Sequence, residues 1–235
     1  MPLFGGGKRE AVKELFELEI AKDEIAVLLM DYSGLILRTP SRCLAIDVAD
    51  LLGRGEIAEL KCLDLLVYTH GHYDHFEVNT TLEIFEKTNC PVVAESSVYR
   101  NLKGRIPDDK LFEPKINATI EVNGMEVSSI PGVHVGPITL YVIDVDGLKV
   151  FHGGDSGYAS LSGYSADVAF VPTGEPSPTA SPRNAYKMVL DLKPKLVIPM
   201  HGSQSQHEAL KKYLEELPEV KIEILEKYKP VKLKV

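Results

Sequence analysis

The chain of 235 residues contains no tryptophan and only three cysteines. The cysteines, Cys43, Cys62 and Cys90, are odd in number, lie far apart and form no C-x-x-C pair. This argues against a disulfide framework and predicts free thiols in a reducing cytosol.

Long apolar runs and an excess of positive charge are also absent. No run of eighteen apolar residues occurs, so the sequence predicts no transmembrane helix. Residues Met1–Glu10 lack the apolar stretch of a signal peptide, so we expect a cytoplasmic protein with no membrane partner. The net charge of −8 argues against nucleic acid as a partner. An anionic small-molecule substrate stays compatible with this charge, since a metal site can override the global field locally.

What the sequence does contain is typical of a soluble globular protein. Apolar residues make up 44% and charged residues 26%. The length suits one large domain or two small ones, and we find neither an internal repeat nor a linker. We therefore predict a single domain over residues 1–235, and the sequence predicts no oligomeric state.

Short apolar segments indicate many strands, and Asn123-Gly124 and Asp146-Gly147 indicate hairpin turns between them. The last third alternates strands with helices, one of which is predicted to begin at Ser181-Pro182. Ser205 and Glu208 are predicted as the capping box of the last helix, with His207 on its exposed side. Because buried strands need cover on both faces, the pattern predicts a layered α/β sandwich. The predicted strands are 25–30, 35–38, 43–48, 65–69, 91–94, 119–122, 125–130, 138–143, 148–151, 168–171, 196–199 and a lysine-rich edge strand within 227–235, and further helices are predicted over 9–20 and 81–87.

A cluster of histidines follows one of these strands. The segment 70–75 reads His-Gly-His-Tyr-Asp-His, directly after the apolar run Leu65–Thr69. Imidazole and carboxylate groups are the ligands that zinc and similar divalent ions prefer. Extended backbone places His70 and His72 on one side, whereas Asp74 and His75 come from the next turn. Four ligands aimed in two directions suit two adjacent metal ions better than one.

The H-x-H-x-D-H segment after an apolar strand resembles the signature of the metallo-β-lactamase superfamily. That family continues with a histidine after a strand, an aspartate in a glycine-rich turn and a late histidine, and His134, Asp155 and His201 stand in those places. The segment 34–47 resembles the opening hairpin of the family. The resemblance implies a four-layer αββα sandwich, with the metal site at one edge.

Carried over residue by residue, the resemblance implies a binuclear centre. His70, His72 and His134 resemble the ligands of the first metal, and Asp74, His75 and His201 those of the second. Asp155 resembles the carboxylate that bridges them. Two divalent ions, zinc or else manganese or iron, are implied as cofactors.

The resemblance further implies a hydrolase in which a metal-bridging hydroxide attacks a small ester, lactone or phosphodiester. Asp74 is the candidate catalytic residue that orients the nucleophile and handles its proton. Tyr73 either donates a hydrogen bond to the substrate or packs, and His152 either supports Asp155 or contacts the substrate. Within the superfamily, the Gly-Gly-Asp-Ser-Gly-Tyr turn (153–158) is most similar to the branch of ascorbate-phosphate lactonases and N-acylphosphatidylethanolamine phospholipases D.

Two other functions remain open at this point. Iron-dependent redox enzymes share the fold, although diiron reductases of the superfamily usually have a glutamate where His72 stands and carry a flavin domain. Nucleic-acid processing members carry added arms and basic surfaces, whereas this chain is acidic and compact. The identity of the substrate cannot be read from the loops that would shape a pocket.

Overall fold

The computed structural model describes residues 7–48 and 51–235. The helices are α1 Lys8–Glu17, α2 Arg54–Glu59, α3 Val78–Thr88, α4 Ser96–Leu102, α5 Pro182–Leu192 and α6 Gln204–Leu214. The strands are β1 Glu24–Leu29, β2 Leu35–Arg38, β3 Cys43–Ile46, β4 Leu65–Tyr68, β5 Val92–Ala94, β6 Leu111–Phe112, β7 Thr119–Val122, β8 Met125–Pro131, β9 Thr139–Val145, β10 Leu148–His152, β11 Val168–Pro172, β12 Leu196–Met200, β13 Lys221–Ile222 and β14 Val231–Lys234.

The strands form two seven-stranded sheets, each half antiparallel and half parallel. The first sheet has the order β14-β1-β2-β3-β4-β5-β6, and its pairs are antiparallel as far as β3 and parallel from β3 to β6. The second has the order β13-β12-β11-β10-β9-β8-β7, with the parallel pairs between β13 and β10. The parallel halves bring the carboxyl ends of several strands to one edge of each sheet.

Three apolar layers hold the sheets and helices together. Alternate residues of β1 point to opposite faces, so that Val27 packs between the two sheets while Leu28 packs against helices. Phe151 and Leu192 belong to the third layer, between the second sheet and α5 and α6. The layers confirm the predicted αββα sandwich.

The beginning of α6 differs from the sequence prediction. Its N-cap is Ser203, whose capping box is closed by Gln206 and not by the predicted pair Ser205 and Glu208. Both pairs have the same three-residue spacing, and the structure uses the earlier one. With the helix in this register, His207 is buried, so its predicted exposure was wrong.

Other sequence predictions are confirmed, and some elements were missed. Strand β14 is an edge strand, and its Lys232 and Lys234 pair with acidic residues of β1 and the preceding turn. The three cysteines are free thiols. The short helices α2 and α4 and the two-residue strands β6 and β13 were not predicted. Among residues 7–48 and 51–235, no helix has the length and apolar character needed to cross a membrane.

Candidate metal centre

All seven predicted ligands lie where strands end, at one edge of the sandwich. His70, His72, Asp74 and His75 stand in the loop between β4 and α3. His134 and Asp155 stand three residues after the ends of β8 and β10, and His201 directly follows β12; these three strands run in the same direction within the second sheet. The topology therefore brings residues up to 131 positions apart in the sequence to one place.

The two sheets are tied to each other at this edge. The N–H of Thr139 donates to the carbonyl of Thr69 at 2.9 Å, and the N–H of His201 donates to the carbonyl of Tyr32 at 3.0 Å. The first cross-link holds the end of β4 against the start of β9, and the second holds the turn between β1 and β2 against the end of β12. The ligands are thus carried by anchored backbone, as a preorganised site requires.

The first group of donors consists of three imidazoles. His134 Nε2 lies 3.1 Å from His72 Nδ1, and the ring centroids of His70 and His134 lie 4.8 Å apart. One donor atom from each of the three rings falls within 4.8 Å of the others. We refer to His70, His72 and His134 as the histidine cluster.

The second group combines imidazoles with carboxylates. Asp155 Oδ2 lies 2.9 Å from His201 Nε2 and 3.1 Å from His75 Nε2. Asp74 Oδ2 lies 3.7 Å from the same nitrogen of His75, and the four donor atoms again fall within 4.8 Å of one another. We refer to Asp74, His75, Asp155 and His201 as the carboxylate cluster.

Hydrogen bonds fix which nitrogen of His70 is available to a ligand. The hydroxyl of Thr69 donates to Asp47 Oδ2 at 2.6 Å, so its oxygen can only accept from His70 Nδ1, 3.0 Å away. His70 therefore carries its proton on Nδ1 and presents the lone pair of Nε2. Similarly, His134 Nδ1 donates to the carbonyl of Pro178 at 2.7 Å, so in the neutral ring Nε2 carries the lone pair.

Asp47, which the sequence analysis did not select, supports both clusters. It lies just after β3 and is fully buried. Its carboxylate accepts from the N–H and hydroxyl of Thr69 and from the hydroxyl of Ser33, and His75 Nδ1 lies 3.2 Å away. Asp47 also lies close enough to His70 and His75 to form a third group of potential donors. Since its oxygens are already engaged by these protein donors, it fits an orienting role for His75 better than that of a ligand.

The electrostatics of the two clusters differ. Burial lowers the pKa of His70 to about 3, so this ring is neutral. Burial also opposes charge on His75, but hydrogen bonds to Asp155 and Asp47 outweigh it and raise the pKa of His75 to about 10. For Asp155, burial is outweighed by hydrogen bonds from His201 and His75, and the pKa lies well below its usual range. The carboxylate cluster thus stabilises positive charge at its centre.

Two buried polar atoms at the site have no hydrogen-bond partner. They are His70 Nε2 and Asp155 Oδ1, each shielded from solvent. A buried donor or acceptor without a partner is costly, and such atoms call for an unseen ion or water. One lone pair belongs to the histidine cluster, and the other to the carboxylate that forms part of the second cluster. The donor set therefore fits divalent metal ions.

Two further residues from the sequence analysis have distinct environments. His152 is buried, its Nε2 donates to the carbonyl of Ser33 at 2.9 Å, and its Nδ1 accepts from the N–H of Gly154 at 3.2 Å. His152 therefore supports the turn that carries Asp155, which is the first of its two predicted roles. Tyr73 was predicted either to donate a hydrogen bond to the substrate or to pack. Because 85% of its surface is exposed, it does not pack in the core.

Glycine is required beside both clusters. Gly154 has a φ of +49°, and a Cβ there would lie 2.8 Å from Thr69 Oγ1. A Cβ on Gly174 would lie 2.7 Å from His201 Nδ1 and would also clash with the carbonyl oxygen of that residue. A cavity of about 280 Å³ opens next to His201 and is also lined by Tyr32 and Lys227.

The fold and these donor clusters together define the class of metallo-β-lactamase-fold metalloproteins. Comparison with known families agrees, because residues 48–202 match the model described as "Beta-lactamase superfamily domain". The chain belongs to this family.

Curated relatives place it among the metal-dependent hydrolases. A UPF0173 metal-dependent hydrolase of Methanopyrus kandleri is 32% identical over 188 residues, which cover 69% of this chain and 79% of that protein. A relative from Thermoplasma acidophilum is 34% identical over 151 residues, covering 59% of this chain and 65% of the relative, so the match spans slightly less than two thirds of some relatives. The chain is thus a metal-dependent hydrolase by family.

Solved structures share the fold at low sequence identity. Igni18, a metallo hydrolase from Ignicoccus hospitalis, has a TM-score of 0.75 at 21% identity, covering 90% of this chain and 99% of that one. CmlA, a diiron β-hydroxylase from Streptomyces venezuelae, has a TM-score of 0.71 at 15% identity, covering 93% of this chain and 55% of that one. One fold thus carries different reactions, and the reaction has to be argued from the site.

Proposed function

We propose that the protein is a binuclear hydrolase of small esters, lactones or phosphodiesters. The observation that carries the proposal is the pair of donor clusters, one with three imidazoles and one with two carboxylates, joined through the loop 70–75. His70, His72 and His134 would hold one divalent ion, and Asp74, His75 and His201 the other, with Asp155 between them. When bound, such a metal pair supplies Lewis acidity and lowers the pKa of a water molecule to about 7.

The residues around the clusters have separate tasks in this proposal. Asp47 holds His75 through Nδ1, and Thr69 holds His70 through Nδ1, so that both rings offer Nε2 in a fixed direction. His152 fixes the turn before Asp155 through Gly154. These supports keep the donor atoms in place before substrate arrives, which reduces the reorganisation that the reaction would otherwise require.

Asp74 is proposed as the catalytic carboxylate. Its side chain is 17% exposed, whereas the side chain of Asp155 is 6% exposed. A carboxylate at the solvent side of the cluster can reach an attacking water and accept its proton, and it can then return that proton to the leaving group. Asp155, which is buried and engaged by two histidines, is suited to holding metal and not to proton transfer.

The test combines metal analysis with an activity screen. Protein purified without added metal is analysed for zinc, manganese and iron by inductively coupled plasma mass spectrometry. It is then assayed with p-nitrophenyl esters, γ-lactones and bis-p-nitrophenyl phosphate, with zinc and with manganese. We expect two metal ions per chain and turnover of at least one substrate class that stops on chelation. One ion per chain at saturation, or turnover unaffected by chelation, would contradict the proposal.

The same experiment addresses redox chemistry. The fold neighbour CmlA is a diiron hydroxylase, which keeps iron in consideration. Iron as the purified metal, with an optical spectrum typical of a diiron centre and no hydrolysis in the screen, would favour an oxidative function over the proposed one.

A further inference from the structure

The entrance to the metal centre is lined by exposed apolar side chains. Seven large hydrophobic side chains are exposed in residues 7–48 and 51–235, and four of them adjoin the proposed ligands. The four are Tyr32, Tyr73, Val133 and Val135, with 41%, 85%, 57% and 68% of their surfaces exposed. We call these four residues the apolar rim. Scattered single apolar residues are normal on a surface, whereas a group of them around one site marks a binding surface.

Three members of the rim are neighbours of the ligands in the sequence, and the fourth is placed by a ring contact. Tyr73 stands between His72 and Asp74, and Val133 and Val135 flank His134 in the sequence. On the opposite side, the ring of Tyr32 lies 5.9 Å from the ring of His201. The rim therefore borders both donor clusters.

Backbone hydrogen bonds hold the segment that carries the two valines at Val133, its first residue. The N–H of Val133 donates to the hydroxyl of Ser156 at 2.8 Å, and its carbonyl accepts from the N–H of Gly157 at 2.6 Å. His134 is anchored on its far side by the carbonyl of Pro178. The hydrogen bonds at Val133 and His134 fix the backbone of this loop beside the exposed valines. A fixed backbone favours the binding of a ligand of defined shape.

Positive charge is scarce at the same entrance. The loops that carry the ligands, residues 69–77, 132–138, 153–158 and 201–203, contain neither lysine nor arginine. Lys227 lines the cavity beside His201, but its ammonium lies 3.0 Å from Asp31 Oδ1 and is already paired. A substrate with a second anionic group would find no unpaired lysine or arginine in these loops to neutralise it.

We propose that the apolar rim binds an uncharged hydrocarbon group of the substrate, so that the enzyme acts on neutral carboxylic esters or lactones with an aliphatic or aromatic substituent in preference to phosphate esters. This inference rests on the proposed hydrolase function and narrows its substrate class. The ester carbonyl lies at the metal centre, and the substituent lies across Tyr73, Val133 and Val135. Hydrolysis consumes one water, breaks the acyl C–O bond and yields the carboxylic acid and the alcohol.

The test uses a chain-length series with matched variants. The zinc-loaded protein is assayed with p-nitrophenyl acetate, butyrate and hexanoate and with bis-p-nitrophenyl phosphate. A fully covered methylene is worth about a fourfold gain, so kcat/KM is expected to rise about two- to fourfold per methylene on an exposed rim. Val135→Ser and Tyr73→Ser should flatten this dependence, mainly through KM. Ile116→Ser, which changes an exposed apolar residue outside the ligand loops, should preserve it.

The results separate this inference from the proposed function. A flat chain-length dependence in the wild type, a steep one retained in Val135→Ser, or faster turnover of the phosphodiester than of every ester would overturn the inference while leaving a hydrolase. If no substrate turns over, the inference is tested by calorimetry, which measures the affinity of the zinc-loaded protein for butyrate, hexanoate and octanoate. An affinity that rises with chain length in the wild type but not in Val135→Ser supports binding of the hydrocarbon group by the rim. An affinity that does not depend on chain length overturns it. A dimer in sedimentation that dissociates in Val135→Ser would also overturn it, since a second copy would then occupy the rim.

Discussion

The histidine cluster and the carboxylate cluster share the loop 70–75 but differ in charge and in support. The histidine cluster consists of three imidazoles and no carboxylate, with His70 held by a threonine hydroxyl. The carboxylate cluster contains two aspartates, and its His75 is in addition hydrogen-bonded to a third aspartate, Asp47. A cluster that contains carboxylates attracts a cation more strongly, whereas a cluster without carboxylates leaves more of the charge of the cation to polarise a substrate. We therefore expect the two positions to differ in affinity and in task.

The largest effect on both clusters is expected from removal of Asp155, the carboxylate proposed to bridge the two metal ions. Asp155→Ala takes away an anionic group that approaches both His75 and His201. Because both metal positions weaken, we expect bound metal to fall below two ions per chain and activity to fall by at least about 10⁴-fold, the upper end for a single acid–base group. Metal analysis after dialysis measures the first effect. Two ions retained per chain would argue against a bridging role.

A substitution at Asp74 separates metal binding from proton transfer. Asp74→Asn keeps the size and one acceptor oxygen but loses the charge and the ability to take a proton. We expect a fall in kcat of about 10²–10⁴-fold that excess metal does not restore. Turnover is compared with the wild type at equal, measured metal content. If the saturated variant works at nearly the wild-type rate, Asp74 is only a ligand.

A substitution at Asp47 should lower the metal affinity of one cluster more than that of the other. Asp47→Asn weakens the hold on His75 Nδ1, and loss of such a supporting group typically costs about 10–100-fold in metal affinity or activity. The loss should fall mainly on the ion of the carboxylate cluster, as cobalt titration followed by absorption would resolve. Asp64→Asn is the matched control, because Asp64 also accepts a backbone N–H, from Cys43, but lies away from the site. Equal loss in both variants would indicate general destabilisation.

The smallest expected effect comes from Gly174. A methyl group there pushes on the ring of His201, and small misplacements at a catalytic site can cost up to about 10²-fold in rate. Because the added Cβ would clash with the backbone carbonyl of His201 as well as with its ring, the backbone has to shift there. We expect about a 10-fold lower kcat for Gly174→Ala together with a lower melting temperature. Gly55→Ala, where a Cβ meets only Arg9 at 3.6 Å, should leave kcat unchanged. A fully active Gly174→Ala would show that the position of His201 is not critical.

The sequence was most informative where strands end in chemically distinctive residues. His70, His134 and His201 each follow an apolar run. The parallel halves of the sheets bring the strand ends before His70 and His201 to the same edge, and β8, which precedes His134, runs in the same direction as β10 because both are antiparallel to β9. Asp47 follows an apolar strand in the same way, but it stands alone in the sequence, with no neighbouring histidine to mark it. Its importance comes from the pairing of β3 with β4, which sets it beside Thr69.

The sequence pattern gave a wrong helix start where two residue pairs fitted the capping-box spacing equally well. Ser203 with Gln206 and Ser205 with Glu208 both satisfy the capping-box spacing, and the structure uses the earlier pair. His207 is buried on the same helix as the predicted apolar residues Leu210 and Leu214, a position that the apolar pattern did not include. The apolar rim was likewise beyond prediction, since exposure depends on how loops from both sheets are anchored.

The most direct test of the two-cluster centre is anomalous diffraction at the zinc edge from crystals of the zinc-loaded protein. We predict two peaks about 3.5–4 Å apart, one coordinated by His70, His72 and His134 and the other by Asp74, His75 and His201, with Asp155 reaching both. A single peak, or a peak among Asp47, His70 and His75, the third group of potential donors, would contradict this arrangement.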